Sequence, residues 1–234
     1  MEKDLSGHVA LVTGGRRGIG AAIARRLAAQ GAAVVLAAQR GDDEGLAETL
    51  ALIRSAGGKA EALAFDLGNP QARVGAVERA GAFFGAVDIL VNNAAANNYA
   101  PPSAMDLAYR RLMFEINVHG PVDLMQQALP AIRAAGWGRI LNISRETARR
   151  APIPYVGAAK FIHALTAYGA SKIALERYGQ ALAAELHGRG VHVSAMMPYR
   201  IAMSESAEGI GRAMGARHPD WVEGVERWRR RPLF

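Results

Sequence analysis

The 234-residue chain has no cysteine. That excludes a disulfide framework, a cysteine-ligated zinc site and a thiol nucleophile. No apolar run approaches the roughly 18 residues needed to cross a bilayer, so no membrane association is expected. The opening MEKDLSGHVALVTGG has no basic leader and no long apolar core, so no secretory signal is expected and the default location is cytoplasmic. Repeats, low-complexity tracts and linkers are absent as well. Lysine is scarce: Lys3, Lys59, Lys160 and Lys172 are the only four, and the other cationic side chains are arginine.

What remains is half hydrophobic and 21% charged, the balance of a soluble, globular chain. The length suits one domain, 1–234. The net charge is +7, and all of the surplus lies beyond residue 100. Residues 1–100 carry 10 basic and 10 acidic side chains, and residues 101–234 carry 18 and 11. No nucleic-acid recognition motif accompanies the surplus, and Arg227–Arg231 reads as a solvated helix end, so no nucleic-acid partner is expected.

Short apolar runs alternate with longer helical patterns. The predicted strands are His8–Thr13, Ala33–Ala38, Ala60–Phe65, Val87–Asn92, Arg139–Ile143 and Val191–Met196. Continuous apolar runs of this length mark strands covered on both faces of a parallel sheet. Helices are predicted between them, for example over Gly18–Gln30 and Asp43–Ala56; the first carries Ile19, Ile23 and Leu27 on one face. Met196 and Met197 read as core packing. The alternation predicts an α/β protein built on a doubly wound parallel sheet.

The first strand runs into Thr13-Gly14-Gly15-Arg16-Arg17-Gly18-Ile19-Gly20, and a helix follows. Glycines permit a tight turn and a close approach of backbone to phosphate. The helix N-terminus adds unpaired N–H groups and a positive dipole end. Strand, glycines and helix in this order point to a dinucleotide site.

The spacing T-G-x-x-x-G-x-G resembles that of the classical short-chain dehydrogenase/reductase (SDR) family, and further matches follow in the family's order. They are Asp66-Leu67 after the third strand, Asn92-Asn93-Ala94 after the fourth, Asn117 in INVHG, and Tyr168-Gly169-Ala170-Ser171-Lys172 as Y-x-x-x-K. The resemblance covers roughly residues 5–200. It implies a single Rossmann-type domain and hydride transfer between a nicotinamide and a ketone or secondary alcohol. It also implies a small-molecule carbonyl or alcohol substrate, a homodimer or homotetramer, and no metal. The catalytic residues it implies are Asn117, Ser144, Tyr168 and Lys172. The cofactor would be held by Gly14, Arg16, Arg17, Gly18, Ile19, Gly20 and Arg40, by Asp66, Leu67, Asn93 and Ala94, and by Tyr168, Lys172 and Pro198.

The cofactor is expected to be NADP(H). An NAD site usually carries an acidic residue at the end of the second strand, for the ribose 2′-hydroxyl. Here the stretch reads Val35-Leu36-Ala37-Ala38-Gln39-Arg40, and the first acid is Asp42, at an expected helix cap. Arg16, Arg17 and Arg40 instead offer guanidinium groups to a 2′-phosphate. For the chemistry, Tyr168 and Lys172 lie four apart on one helix face. A free tyrosine has a pKa of about 10 and is a poor base near neutrality; a nearby ammonium favours the phenolate. The resemblance implies that Tyr168 passes a proton to or from the substrate oxygen while the cofactor carries the hydride.

Three departures from the family pattern stand out. After the fifth strand the run is Asn142-Ile143-Ser144-Arg145, so Arg145 occupies the position of the usual catalytic serine. Ser144 or Thr147 would then serve as the hydroxyl. The chain is slow, or acts on an acidic substrate, or is a catalytically impaired cofactor-binding or regulatory protein. Second, the segment near 145–167, with Pro152, Pro154, Tyr155, Phe161 and His163, is an expanded loop expected to contact substrate. Third, Pro198-Tyr199 replaces the usual Pro-Gly, and 199–234 is an atypical C-terminal segment. Six strands are therefore expected, with the usual seventh edge strand absent or altered.

Overall fold

A strand covered on both faces needs an apolar side chain at nearly every position. β1 (Val9–Thr13), β2 (Ala33–Ala38) and β4 (Ile89–Asn92) meet that demand and are buried almost throughout. A computed structural model describes residues 4–41, 43–97, 100, 102–145 and 165–198. With β3 (Ala60–Ala64), β5 (Gly138–Ile143) and β6 (Val191–Met196), these strands form one parallel sheet among the described residues, in the order β3-β2-β1-β4-β5-β6. β2 and β6 have the bounds predicted from sequence. β4 starts two residues later than predicted; just before it, the Asp88 carboxylate accepts from His8 Nδ1 at 2.6 Å and from the Val9 amide at 2.9 Å.

Alternate residues of each strand face two separate cores. Ala10 and Val12 pack with Ala24, Leu46 and Ile53 beneath α1 (Gly18–Ala29) and α2 (Glu44–Ser55). Val9 and Leu11 pack on the other side with Leu124, Met125, Ile132 and Leu175. That layer is built from the short helix α3 (Pro70–Arg73), α4 (Ala76–Phe84), α5 (Leu107–Phe114), α6 (Gly120–Ala135) and the long helix α7 (Thr166–Glu185). Between α5 and α6 the chain makes one π turn, Glu115–His119. Among the described residues, no helix is long and apolar enough to cross a membrane.

The expectation for Met196 needs correcting. Only one of the six β6 residues is buried, and Met196 is 37% exposed, because β6 is the last strand of the sheet among the described residues and only the face with Val191 and Val193 packs into the core. The expanded loop lies outside the described residues over 146–164, with Thr147 and His163, as do Asp42 and the C-terminal segment 199–234 with the question of a seventh strand.

One buried cation fastens the π turn to the rest. Arg73, 3% exposed, donates to Asp123 at 2.7 Å, to the Leu67 carbonyl at 2.7 Å and to Glu115 at 3.1 Å. It therefore joins α3 to the start of the turn and to α6 beyond it. Removing a buried guanidinium and its charge-assisted bonds is costly. Arg73→Ala is expected to lower stability by about 3 kcal/mol in urea unfolding; a loss near zero would show that these bonds are not holding the layer together.

Candidate active site

The chain leaves β1 toward β2 on one side and later crosses to β4 on the other. A crevice opens at that reversal, at the C-terminal ends of the strands. Its floor is tied by two side chains. Thr13 Oγ1 donates to the Val91 carbonyl at 3.2 Å and accepts from the amides of Asn93 at 3.0 Å and Ala94 at 3.1 Å. Asn93 Nδ2 donates to the carbonyls of Thr13 at 2.9 Å and Gly14 at 3.1 Å. The glycine turn fits tightly against this knot: Gly14 has φ +66°, and a Cβ on Gly20 would run into the Gly14 carbonyl oxygen.

Above the knot lies a cleft of about 420 Å³. Gly14, Arg16, Arg17, Gly18 and Ile19 line one wall; Asp66, Leu67, Asn93 and Ala94 line the other. The N-terminus of α1 has no side-chain cap and no acid in its first turn, so its amides and dipole are left for an anion. This donor set fits the phosphates of a dinucleotide. Gly20 lies beneath the turn, and Arg40 follows β2 at the exposed surface.

Two contacts at the cleft were not foreseen from the sequence. Arg16 pairs with Asp43, which, and not the expected Asp42, is the N-cap of α2 and accepts from the amides of Gly45 at 3.0 Å and Leu46 at 3.3 Å. Burial pushes the Asp43 carboxyl up, but the hydrogen bond and charge of Arg16, with those amides, outweigh it and hold its pKa below 3.8. Gln39 Nε2 donates to Asp66 Oδ2 at 3.2 Å, while Asp66 Oδ1 accepts from the Gly68 amide at 2.8 Å.

The second half of the site lies where β5 meets α7. Tyr168 is 8% exposed and Lys172 1%. The Lys172 ammonium stands 5.7 Å from the centre of the Tyr168 ring and donates to the Ile143 carbonyl at 2.8 Å. Asn117 reaches the same region from the π turn. Its Oδ1 accepts from the Ala96 amide at 2.8 Å; its Nδ2 donates to the Ala96 carbonyl at 2.8 Å and to Ser171 Oγ at 3.0 Å. It thereby joins the segment after β4 to α7. Ser144 is buried, and its hydroxyl donates to the buried Glu176, one helical turn beyond Lys172. The half-buried Arg145 carries its guanidinium 5.9 Å from the centre of the Tyr168 ring. Pro198 is half-buried just past β6.

Residues 8–214 match the short chain dehydrogenase family. The chain belongs to that family. Among curated relatives it is 33% identical over 194 residues to the ketoacyl reductase HetN of Nostoc sp., an alignment covering 83% of this chain and 63% of the relative, so the chain spans less than two thirds of that protein. Among solved structures it is similar to a 3-oxoacyl (acyl-carrier-protein) reductase from Agrobacterium tumefaciens with NADP bound. There the TM-score is 0.80 at 33% identity, covering 94% of this chain and 79% of that one. It is also similar to a metagenomic short-chain oxidoreductase in complex with NADP, with a TM-score of 0.74 at 36% identity, covering 92% and 93% of the two chains.

Burial, and then the charge of Arg145, lower the Lys172 pKa from 10.5 to about 8. The cost of burying the ammonium is therefore present below pH 8 and is relieved as pH rises toward the unfolded value of 10.5. Between those pH values the stability of the native protein should rise relative to Lys172→Met, by about 3 kcal/mol in all. Urea unfolding of both proteins across the window tests this; a flat difference would show that the ammonium is not desolvated.

Proposed function

We propose that the chain is an NADP(H)-dependent oxidoreductase that interconverts a ketone and a secondary alcohol, with Tyr168 as the proton donor and acceptor. The observation that carries this reading is the Tyr168–Lys172 pair on α7, its ammonium buried beneath the ring and anchored to the Ile143 carbonyl. A buried positive charge beside a phenol stabilises the phenolate left when the proton moves. When bound, the cofactor supplies or accepts the hydride. Lys172 holds the charge and Asn117 fixes α7 against the segment after β4. Asp66, Leu67, Asn93 and Ala94 shape one wall of the cofactor cleft, with the glycine turn opposite.

NADP(H) is preferred over NAD(H) on two grounds. Similar structures were solved with NADP, and β2 ends in Gln39-Arg40 rather than in an acid. NADPH is expected to bind at least about tenfold more tightly than NADH in a fluorescence titration; equal or tighter binding of NADH overturns the assignment.

A second reading, cofactor binding without efficient turnover, is favoured by Ser144. Its hydroxyl is engaged by Glu176, so it reaches a substrate carbonyl only by giving up that bond. A carbonyl panel with NADPH, followed at 340 nm, separates the two readings. The first expects turnover that Tyr168→Phe reduces roughly a hundredfold to ten-thousandfold with NADPH affinity intact. Cofactor binding without turnover on any substrate would favour the second.

A further inference from the structure

Arg145 stands beside Tyr168 as a charge with no carboxylate partner among the described residues. Glu176, on the neighbouring helix α7, accepts from Ser144. Lys172 adds a second positive charge on the same ring: the two cationic groups lie 5.9 and 5.7 Å from the centre of Tyr168. Like charges beside one ring repel, and the charge of Arg145 is the second cause, after burial, of the depressed Lys172 pKa. A ligand that brings a negative charge here removes the conflict.

We propose that Arg145 determines specificity by taking the carboxylate of an oxo-acid substrate, or of the matching hydroxy acid, whose carbonyl is reduced at Tyr168. The inference rests on the oxidoreductase reading above. The guanidinium lies 5.9 Å from the centre of the Tyr168 ring, so a substrate that carries its anion a short way from the reacting carbonyl can engage both. A 2-oxo or 3-oxo acid is such a substrate, and its planar carboxylate matches the guanidinium fork. A phosphate ester carries its charge farther away, beyond an ester oxygen. In the reduction, a hydride from NADPH forms the new C–H bond and the Tyr168 proton forms the O–H bond. NADP⁺ departs, and the carboxylate stays unchanged on Arg145.

The test uses the whole protein with NADP⁺, a combination that cannot reduce an oxo acid, so binding is read apart from turnover. Calorimetry compares 2-oxobutanoate and acetoacetate with their methyl esters and with dihydroxyacetone phosphate, for the native protein, Arg145→Gln and Arg145→Lys. At least one acid is expected to bind the native protein at least about tenfold more tightly than its ester. Arg145→Gln should abolish that preference, and Arg145→Lys, which keeps the charge but loses the fork, should retain part of it. Equal binding of acid and ester, an unchanged acid preference in Arg145→Gln, or tighter binding of the phosphate ester would overturn the proposal. NADPH consumption separates it from the reading beneath it. Arg145-dependent acid binding without turnover upholds the anion site and sinks the oxidoreductase reading. Turnover of neutral ketones without any acid preference does the reverse.

Discussion

β1 and β4 lie side by side although the residues that join them, Thr13 and Val91, are 78 positions apart. Their junction is held by two polar side chains, Thr13 and Asn93, whose hydrogen bonds all go to backbone groups. The knot does two jobs. It satisfies amides and carbonyls that run out of sheet partners at the strand ends, where unpaired groups would be costly. It also sets the distance between the glycine turn and the segment after β4, which are the two walls of the cleft. That segment then passes to Asn117, which ties it to α7. From the glycine turn to Tyr168, the site hangs on one chain of polar contacts anchored at the crossover.

The two ends of the site treat positive charge in opposite ways. At the glycine turn Arg16 is matched by Asp43, which also caps α2. At the β5–α7 end, Lys172 is buried against a carbonyl, and Arg145 has no carboxylate partner among the described residues. A neutralised arginine can remain in place without a ligand. Two cations beside one ring carry a mutual electrostatic cost, seen in the lowered pKa of Lys172. Charge balance within the folded chain thus separates two arginine sites that look alike in composition.

Much of the architecture was legible in the sequence because double burial leaves a plain mark. Runs such as Val9–Thr13 and Ala33–Ala38 cannot be amphipathic, and the glycines at 14, 18 and 20 punctuate the passage from strand to helix. The polar contacts left no such mark. Residue type says that Arg16 needs a partner but not that the partner is Asp43, 27 positions away, rather than a ligand. Ser144 could be read as a free hydroxyl because its engagement with Glu176 is made across 32 positions. A weak signal was available there: Glu176 follows Lys172 by one helical turn, so an acid on the lysine's own face was visible. Met196 misled for a different reason, since an apolar side chain on an end strand keeps its strand pattern whether or not a layer covers it.

The π turn at Glu115–His119 left no trace in the hydrophobic pattern either. Such a turn is one residue more than an α-helix needs between the same end points, and turns of this kind recur at functional sites. Deleting a residue here would restore a regular helix and leave α5 and α6 facing the core as before. Deleting one within α6 would instead swing every later side chain by about 100° and carry buried residues such as Leu129 and Ile132 toward solvent. A regular helix would not need the surplus residue, although the turn also carries Glu115, a partner of the buried Arg73. Loss of the surplus residue would fall on Asn117, whose inward reach to Ala96 and Ser171 depends on the wider turn. A change of length in α6 would therefore fall on the core, and one in the π turn on Asn117 and on the Glu115–Arg73 pair.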